Sequence, residues 1–151
     1  MSWTSVKEMV RRDFPGVEHV STAELARLLE SENAPVLLDV REQAEYDVSH
    51  LPGAIRVQPG SDASELVETL ESGTPIVAYC SVGYRSSELV QKLSERGFTD
   101  VHNLEGSIFE WANEGHRVER DGEDVREVHP FDKSWGALLD EELRAYEPGG
   151  K

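Results

Sequence analysis

The chain has 151 residues, which is one domain's worth and long enough to bury a full core without covalent staples. Its 30 Asp and Glu outweigh 15 Lys and Arg to give a net charge of −15, which argues against nucleic acid and anionic membrane surfaces as partners, since both are bound through basic patches. The single cysteine excludes an internal disulfide and suits a reducing compartment, while 38% hydrophobic residues in short blocks support a packed globule rather than a disordered acidic tail.

Along the chain, Trp3, Val6, Met9, Val10 and Phe14 recur at helical spacing until Pro15-Gly16, predicting an amphipathic helix. Ser21-Thr22-Ala23-Glu24 has the spacing of a capping box, and Leu25, Leu28 and Leu29 continue a second helix up to Asn33-Ala34-Pro35. Val36 to Val40 reads as a buried strand, residues 42 to 48 as one or two helical turns, Leu51-Pro52-Gly53-Ala54 as a turn and Ile55-Arg56-Val57 as a short strand. Asp62 and Glu65 repeat the capping spacing ahead of Leu66, Val67 and Leu70, with Gly73 as the stop. A second buried strand covers Ile76 to Cys80. A helix over Ser86 to Arg96 carries Leu89, Val90 and Leu93 on one face and is closed by Gly97, and a further strand follows at Val101 to Leu104. The next helix, around Ile108 to Asn113, ends at Gly115.

Strands alternating with helices over short connections predict an α/β class, a mostly parallel central sheet with helices on both faces. The rhythm then changes. Val118 to Arg126 reads as a hairpin around Asp121-Gly122, and Trp135, Leu138, Leu139, Leu143 and Tyr146 predict a terminal amphipathic helix before the loose Pro148-Gly149-Gly150-Lys151. The expected organisation is an N-terminal helix over 1–17, an α/β body over 18–116, and an extension over 117–151, hairpin plus helix, packed on the same domain.

The chemistry concentrates in Cys80-Ser81-Val82-Gly83-Tyr84-Arg85-Ser86, which leaves the end of a buried strand and runs into a helix start. In an open parallel sheet, sites form outside the carboxyl ends of the strands, where the N–H groups and dipole of a helix start cradle an anion. A thiol there is a reactive nucleophile, because the thiolate is the form those donors stabilise. Gly83 allows a backbone that turns successive amides inward, and Arg85 is expected to place a positive charge where an anionic substrate sits. A lone cysteine ending a core strand is otherwise a small buried hydrophobe. Gly83 and Arg85 ahead of the helix favour the functional reading. Asp39 and Arg41, alternate residues at a strand end, are read as supports that tie a neighbouring loop through charge-assisted hydrogen bonds, and His50 as a hydrogen-bonder fixing the turn beside it.

These residues resemble the rhodanese-like family of sulfurtransferases, over roughly residues 18 to 115. The matching pieces are Leu37-Leu38-Asp39-Val40-Arg41, Glu45-Tyr46, His50-Leu51-Pro52-Gly53-Ala54-Ile55, the Cys80-to-Arg85 loop, Gly97-Phe98, and Val101, Asn103-Leu104, Gly106 and Trp111. Two positions depart: Ser49 stands where the family usually shows Gly, and Ser107 replaces the second of a common Gly pair. The resemblance implies that Cys80 attacks the outer sulfur of a donor such as thiosulfate, becomes a persulfide, and passes the sulfur to a thiol or cyanide acceptor, a protein acceptor included. It further implies that the Ser81, Val82, Gly83, Tyr84 and Arg85 amides cradle the persulfide, with Ser86 beside them and Arg85 attracting the anionic donor.

Two other functions stay open. A related phosphatase or arsenate reductase shares the fold, but its loop holds one residue more between Cys and Arg than the Ser81-to-Tyr84 stretch here, and Tyr79 stands in place of its preceding His. A non-catalytic sulfur carrier or sensing module would use the terminal segments as docking surfaces. No cofactor is expected. The histidines at 19, 50, 102, 116 and 129 lack metal-ligand spacing, no Gly-Lys-Ser/Thr forms a nucleotide cradle, and no apolar run approaches a membrane span. Residues 1 to 8 show no apolar signal region, which makes the cytoplasm the expected location. Arg outnumbers Lys 11 to 4 within the acid excess, a bias compatible with a salt-loving source.

Overall fold

The computed structural model of the chain describes residues 1–150; Lys151, at the end of the expected loose tail, lies outside the described residues. The central sheet has five parallel strands, β1 (His19–Val20), β2 (Val36–Asp39), β3 (Ile55–Arg56), β4 (Ile76–Tyr79) and β5 (Val101–Leu104), in the order β1-β5-β4-β2-β3. The connections carry α1 (Trp3–Asp13), α2 (Thr22–Leu29), α3 (Gln43–Val48), α4 (Ser64–Val67), α5 (Tyr84–Glu95) and α6 (Ser107–Asn113). This is the α/β class that the alternating pattern predicts.

Strand alternation sorts the core onto two faces. Leu37, Val77, Tyr79 and Leu104 join Val6 of α1, Leu25 of α2 and Ile108, Phe109 and Trp111 of α6. Leu38, Ile76, Ala78 and Val101 turn the other way, against Val67 of α4 and Leu89, Val90 and Leu93 of α5. Both faces being covered explains why the strands read as nearly continuous apolar runs.

Ser21 and Glu24 form the predicted capping box: the Ser21 hydroxyl accepts from the Glu24 amide at 3.1 Å, and the Glu24 carboxylate accepts from the Ser21 amide at 2.9 Å. Three elements away from the cysteine loop differ from expectation. The two-residue β1 is too short for any periodicity, and it exists because Asn103 N donates to Glu18 O at 2.9 Å and Glu105 N to Val20 O at 3.0 Å. At α4, Asp62 caps Ser64 rather than the residue predicted by its spacing, and beyond Val67 the chain continues in tighter i→i+3 turns through Leu70. Most of the expected terminal helix is absent. A single helical turn, α7 (Lys133–Gly136), is followed by a 3-10 turn over Glu141–Leu143.

The cause is competition for backbone groups. Asn113 of α6 donates to Leu138 O at 2.9 Å and accepts from Asp140 N at 2.8 Å, and Val128 exchanges bonds with Leu143 O and Ala145 N at 2.7 and 3.1 Å. Groups committed to these partners cannot also close helical turns, and a lone helix of this length is marginal without them. The apolar residues still reach the core: Leu139 and Leu143 are 1% and 4% exposed. The hairpin ahead of them, β6 (Val118–Arg120) and β7 (Glu123–Val125), turns at Asp121 and Gly122, whose φ values of 54° and 81° are those of the mirror-image turn that suits strand twist. Its Glu119 backbone exchanges two hydrogen bonds with that of His50. No helix among the described residues is long and apolar enough to cross a membrane.

Leu139 belongs to the same buried cluster as Val6, Leu25 and Tyr79. Leu139→Ala should therefore cost about 2–5 kcal/mol in urea denaturation, the range for a buried leucine, with fluorescence and far-UV dichroism moving in one coincident transition. Separate transitions for body and extension would show two folding units.

Candidate active site

β4 ends at Tyr79, so the next residue, Cys80, emerges at the carboxyl edge of the sheet between β5 and β2. The loop carbonyls are taken by α6: Ile108 N donates to Cys80 O and Phe109 N to Ser81 O, each at 3.1 Å. Helix-start amides have no partner within their own helix, and here the loop supplies one. With its carbonyls held there, the loop turns an amide toward the sulfur, and Gly83 N donates to Cys80 Sγ at 3.2 Å. Gly83 sits at φ 111°, where a side chain would be strained and a Cβ would lie 3.1 Å from Asn103 Nδ2. Because Gly83 is itself the N-cap, α5 begins at Tyr84, two residues before the start expected at Ser86.

Ser86 Oγ lies 3.4 Å from Sγ and donates to Asn103 Oδ1 at 2.6 Å. A hydroxyl has one proton to give: while Asn103 holds it, the Ser86 oxygen can accept from a thiol, and it can rotate to donate to a thiolate. The Cys80 amide donates to Ser107 Oγ at 3.2 Å, and that hydroxyl donates to Leu104 O at 2.8 Å. Ser107 adopts φ 46°, a conformation that favours glycine, and its hydroxyl is what a glycine could not offer.

Arg85 reaches the cavity beside Cys80 and is also paired there with a carboxylate. Its Nη1 and Nη2 donate to the two oxygens of Glu45 at 2.9 and 3.0 Å, and Nη2 also donates to Ser81 Oγ at 2.8 Å. The charge expected to face substrate is thus shared with a carboxylate in a two-pronged pair. Burial pushes the Glu45 carboxyl up, but hydrogen bonding and the charge of Arg85 outweigh it and leave it below the usual range. For Arg85 burial works downward, and its hydrogen bonds to Glu45 with the charges of Cys80 and Glu45 raise it on balance. The Phe131 ring caps this pair, 4.8 Å from the guanidinium carbon. Sequence reasoning noted Glu45 only as part of a pattern; its burial, at 2% exposed, is the signal of a paired charge and is invisible in the letters.

Asp39 and Arg41 do not contact the sulfur. They form a second, fully buried pair on the neighbouring strand: Arg41 Nε and Nη2 donate to Asp39 at 2.8 and 2.7 Å, and Nη2 donates to Ser49 O at 2.7 Å. Tyr79 OH donates to Asp39 Oδ2 at 2.6 Å and accepts from Leu51 N at 3.0 Å, joining β4 to the loop after α3. His50 fixes that loop through its backbone bonds to Glu119, while its ring stacks on Tyr46 at 4.0 Å and its Nδ1 has no hydrogen-bond partner.

A cavity of about 270 Å³ opens over the loop, with Cys80, Ser81, Val82, Tyr84 and Arg85 forming its floor. Its walls are Met9 of α1 and Phe131 and Trp135 of the extension. In the sequence Met9 and Trp135 are members of general apolar stripes and Phe131 belongs to none, and nothing local says that the three converge on Cys80.

Removing the charge from Asp39 leaves the Arg41 guanidinium buried and unpaired. Asp39→Asn should lose about 3–5 kcal/mol in urea denaturation, and an Asp39→Leu/Arg41→Met double variant should lose less than that single change. For the Arg85 pair the pH dependence has a fixed sign. The folded carboxyl of Glu45 sits below its unfolded value, so its stabilisation is present above about pH 4.3 and is lost as pH falls through the folded value. The stability difference between the wild type and Glu45→Gln should be flat from pH 7 to 5 and shrink below that; a difference that grows on acidification would contradict the pairing.

Residues 21–114 match the family described as Rhodanese-like domain. The chain is 35% identical over 98 residues to a putative sulfurtransferase, YtwF, of Bacillus subtilis, covering 65% of this chain and 93% of that protein. It is 32% identical over 104 residues to the thiosulfate sulfurtransferase GlpE of Pseudoalteromonas translucida, covering 68% and 97%. A tRNA uridine(34) hydroxylase of Protochlamydia amoebophila is 35% identical over 103 residues, but the match spans 63% of this chain and only 32% of that protein. Among solved structures, the rhodanese-like domain of the Anabaena Alr3790 protein superposes with a TM-score of 0.61 at 26% identity, over 69% of this chain and 80% of that one.

Proposed function

The chain belongs to the rhodanese-like domain family, and from that premise we propose that it moves a sulfane sulfur from a small anionic donor such as thiosulfate to a thiol or cyanide acceptor through a persulfide on Cys80. The observation that carries the reading is the Gly83 amide 3.2 Å from a sulfur seated at the start of α5, at an open cavity. In the first step the Cys80 thiolate attacks the outer sulfur of thiosulfate. A bond from Sγ to that sulfur forms, the donor S–S bond breaks, and its electron pair leaves on sulfite. In the second step a thiol or cyanide attacks the outer sulfur and returns the Cys80 thiolate.

The loop amides supply what both steps need, a fixed set of donors for negative charge on Sγ and then on the outer sulfur. No general base is required, since sulfite departs as a stable anion. Arg85 acts in this scheme through its hold on Ser81 and Glu45, which keeps the floor of the cavity in place. The loop is one residue too short to surround a phosphoryl group, which disfavours the phosphatase alternative. An open cavity over the sulfur favours turnover of small molecules over a purely carrier role. RNA, the substrate in the names of some relatives, would meet a net charge of −15. A reducing cytoplasm would keep the lone thiol ready.

Incubation with thiosulfate should add one sulfur atom to the peptide carrying Cys80, read by intact and peptide mass, and cyanide should release it as thiocyanate. Cys80→Ala should abolish both while leaving the melting temperature nearly unchanged, because no second thiol exists and little volume is removed. Wild-type thiocyanate production by Cys80→Ala would overturn the assignment.

A further inference from the structure

The cavity over Cys80, about 270 Å³, lies near the lower end of the range for pockets that take organic ligands. Its lining is mostly apolar: Met9, Val82, Phe131 and Trp135 join Tyr84 around the sulfur, with Ser81 and Arg85 as the polar members. Phe131 is not there for the core. It is 42% exposed and holds a φ of 69°, a conformation that aromatic residues adopt rarely, with its amide donating to His129 Nδ1 at 3.0 Å. Trp135 is aimed by the cap of α7, in which Asp132 Oδ1 accepts from the Trp135 amide at 2.7 Å. On the opposite wall α1 is tied down by Lys7 to Glu110 at 2.9 Å and by Tyr84 OH to Asp13 at 2.8 Å, which fixes Met9 over the loop.

Charge narrows the ligand class further. The cation at the floor, Arg85, is paired with Glu45, and the nearby Arg41 is paired with Asp39. A carboxylate on an incoming acceptor would give up water against a largely apolar lining and approach a protein that is already strongly acidic, with Arg85 already shared with Glu45. An uncharged aromatic or aliphatic body loses nothing on entering such walls, and the polarisable Met9 side chain adapts to its shape.

We propose that the acceptor discharging Cys80 is an uncharged organic thiol whose apolar body seats between Met9, Tyr84, Phe131 and Trp135, so that residues outside the family-matched 21–114 select the acceptor. This rests on the sulfurtransferase reading. The step is Cys80–S–S⁻ plus R–SH giving Cys80–S⁻ plus R–S–SH. A bond forms between the acceptor sulfur and the outer sulfur, the bond to Sγ breaks with its electron pair returning to Sγ, and the thiol proton ends on the product persulfide. Nothing is oxidised or reduced overall.

The test loads the full chain with thiosulfate, verifies the added sulfur by mass, and follows its discharge by benzyl mercaptan, 2-mercaptoethanol, glutathione and cyanide, with each thiol compared at equal thiolate concentration. Benzyl mercaptan should discharge the persulfide about tenfold or more faster than 2-mercaptoethanol, with glutathione slowest, the scale expected when a pocket fills with apolar groups. Phe131→Asn suits a left-handed backbone and Met9→Gln suits a helix, so both should fold, and each should lower the ratio of benzyl mercaptan to cyanide rates severalfold. A chain that takes no sulfur from thiosulfate fails the sulfurtransferase reading and this one with it. A chain that loads but discharges equally into all the thiols, or whose ratio neither variant moves, overturns the acceptor assignment alone.

Discussion

Everything at the site follows from two hydrogen bonds, those from the first amides of α6 to the carbonyls of Cys80 and Ser81. A loop has as many acceptors as donors, and it can present one kind to a ligand only if the other kind is satisfied elsewhere. Here α6 takes the carbonyls of Cys80 and Ser81, and the Gly83 amide turns toward Sγ on a backbone angle that glycine supplies. Two helices that begin at the same edge of the sheet therefore divide the work: α6 holds the loop and α5 faces the sulfur.

The ion pairs around this loop come in balanced sets, and their balance explains the character of the cavity. Asp39 with Arg41 and Glu45 with Arg85 place two cations and two anions near the sulfur, all engaged by close hydrogen bonds. Charges this deeply buried are tolerable only in such pairs, and each pair specifies geometry more than it adds net attraction for an anion. The net charge of −15 acts on solution behaviour and long-range encounter, while at contact range the sulfur itself is met by the Gly83 amide.

The sequence is legible where local physics decides. The Ser21–Glu24 box, the Asp121-Gly122 turn and the buried strands at β2, β4 and β5 each follow from residues adjacent in the chain. The features that no local signal encodes depend on distant partners. β1 needs β5 beside it, Glu45 acquires its place only when α5 brings Arg85 to it, and the stripe from Trp135 to Tyr146 gives up helical bonds to Asn113 and Val128. Apolar spacing in that stripe forecast burial of Leu139 and Leu143 correctly and backbone conformation incorrectly, because burial depends on side chains while helix formation depends on backbone groups that other residues had claimed.

The two departures from the family pattern illustrate the same principle. Ser49, in place of a glycine, keeps an extended backbone and spends its hydroxyl on Glu127 O at 2.6 Å, three residues before Pro130 and the chain leading to Phe131. Its own carbonyl accepts from Arg41, so one residue links the buried ion pair to the extension. Ser107 accepts a disfavoured backbone angle and in return satisfies the amide of Cys80 itself. Neither hydroxyl could be supplied by glycine. The first fastens the segment leading to Phe131 and the second fixes the residue that carries the sulfur, so the two serines tie the Cys80 loop and the C-terminal extension into one framework.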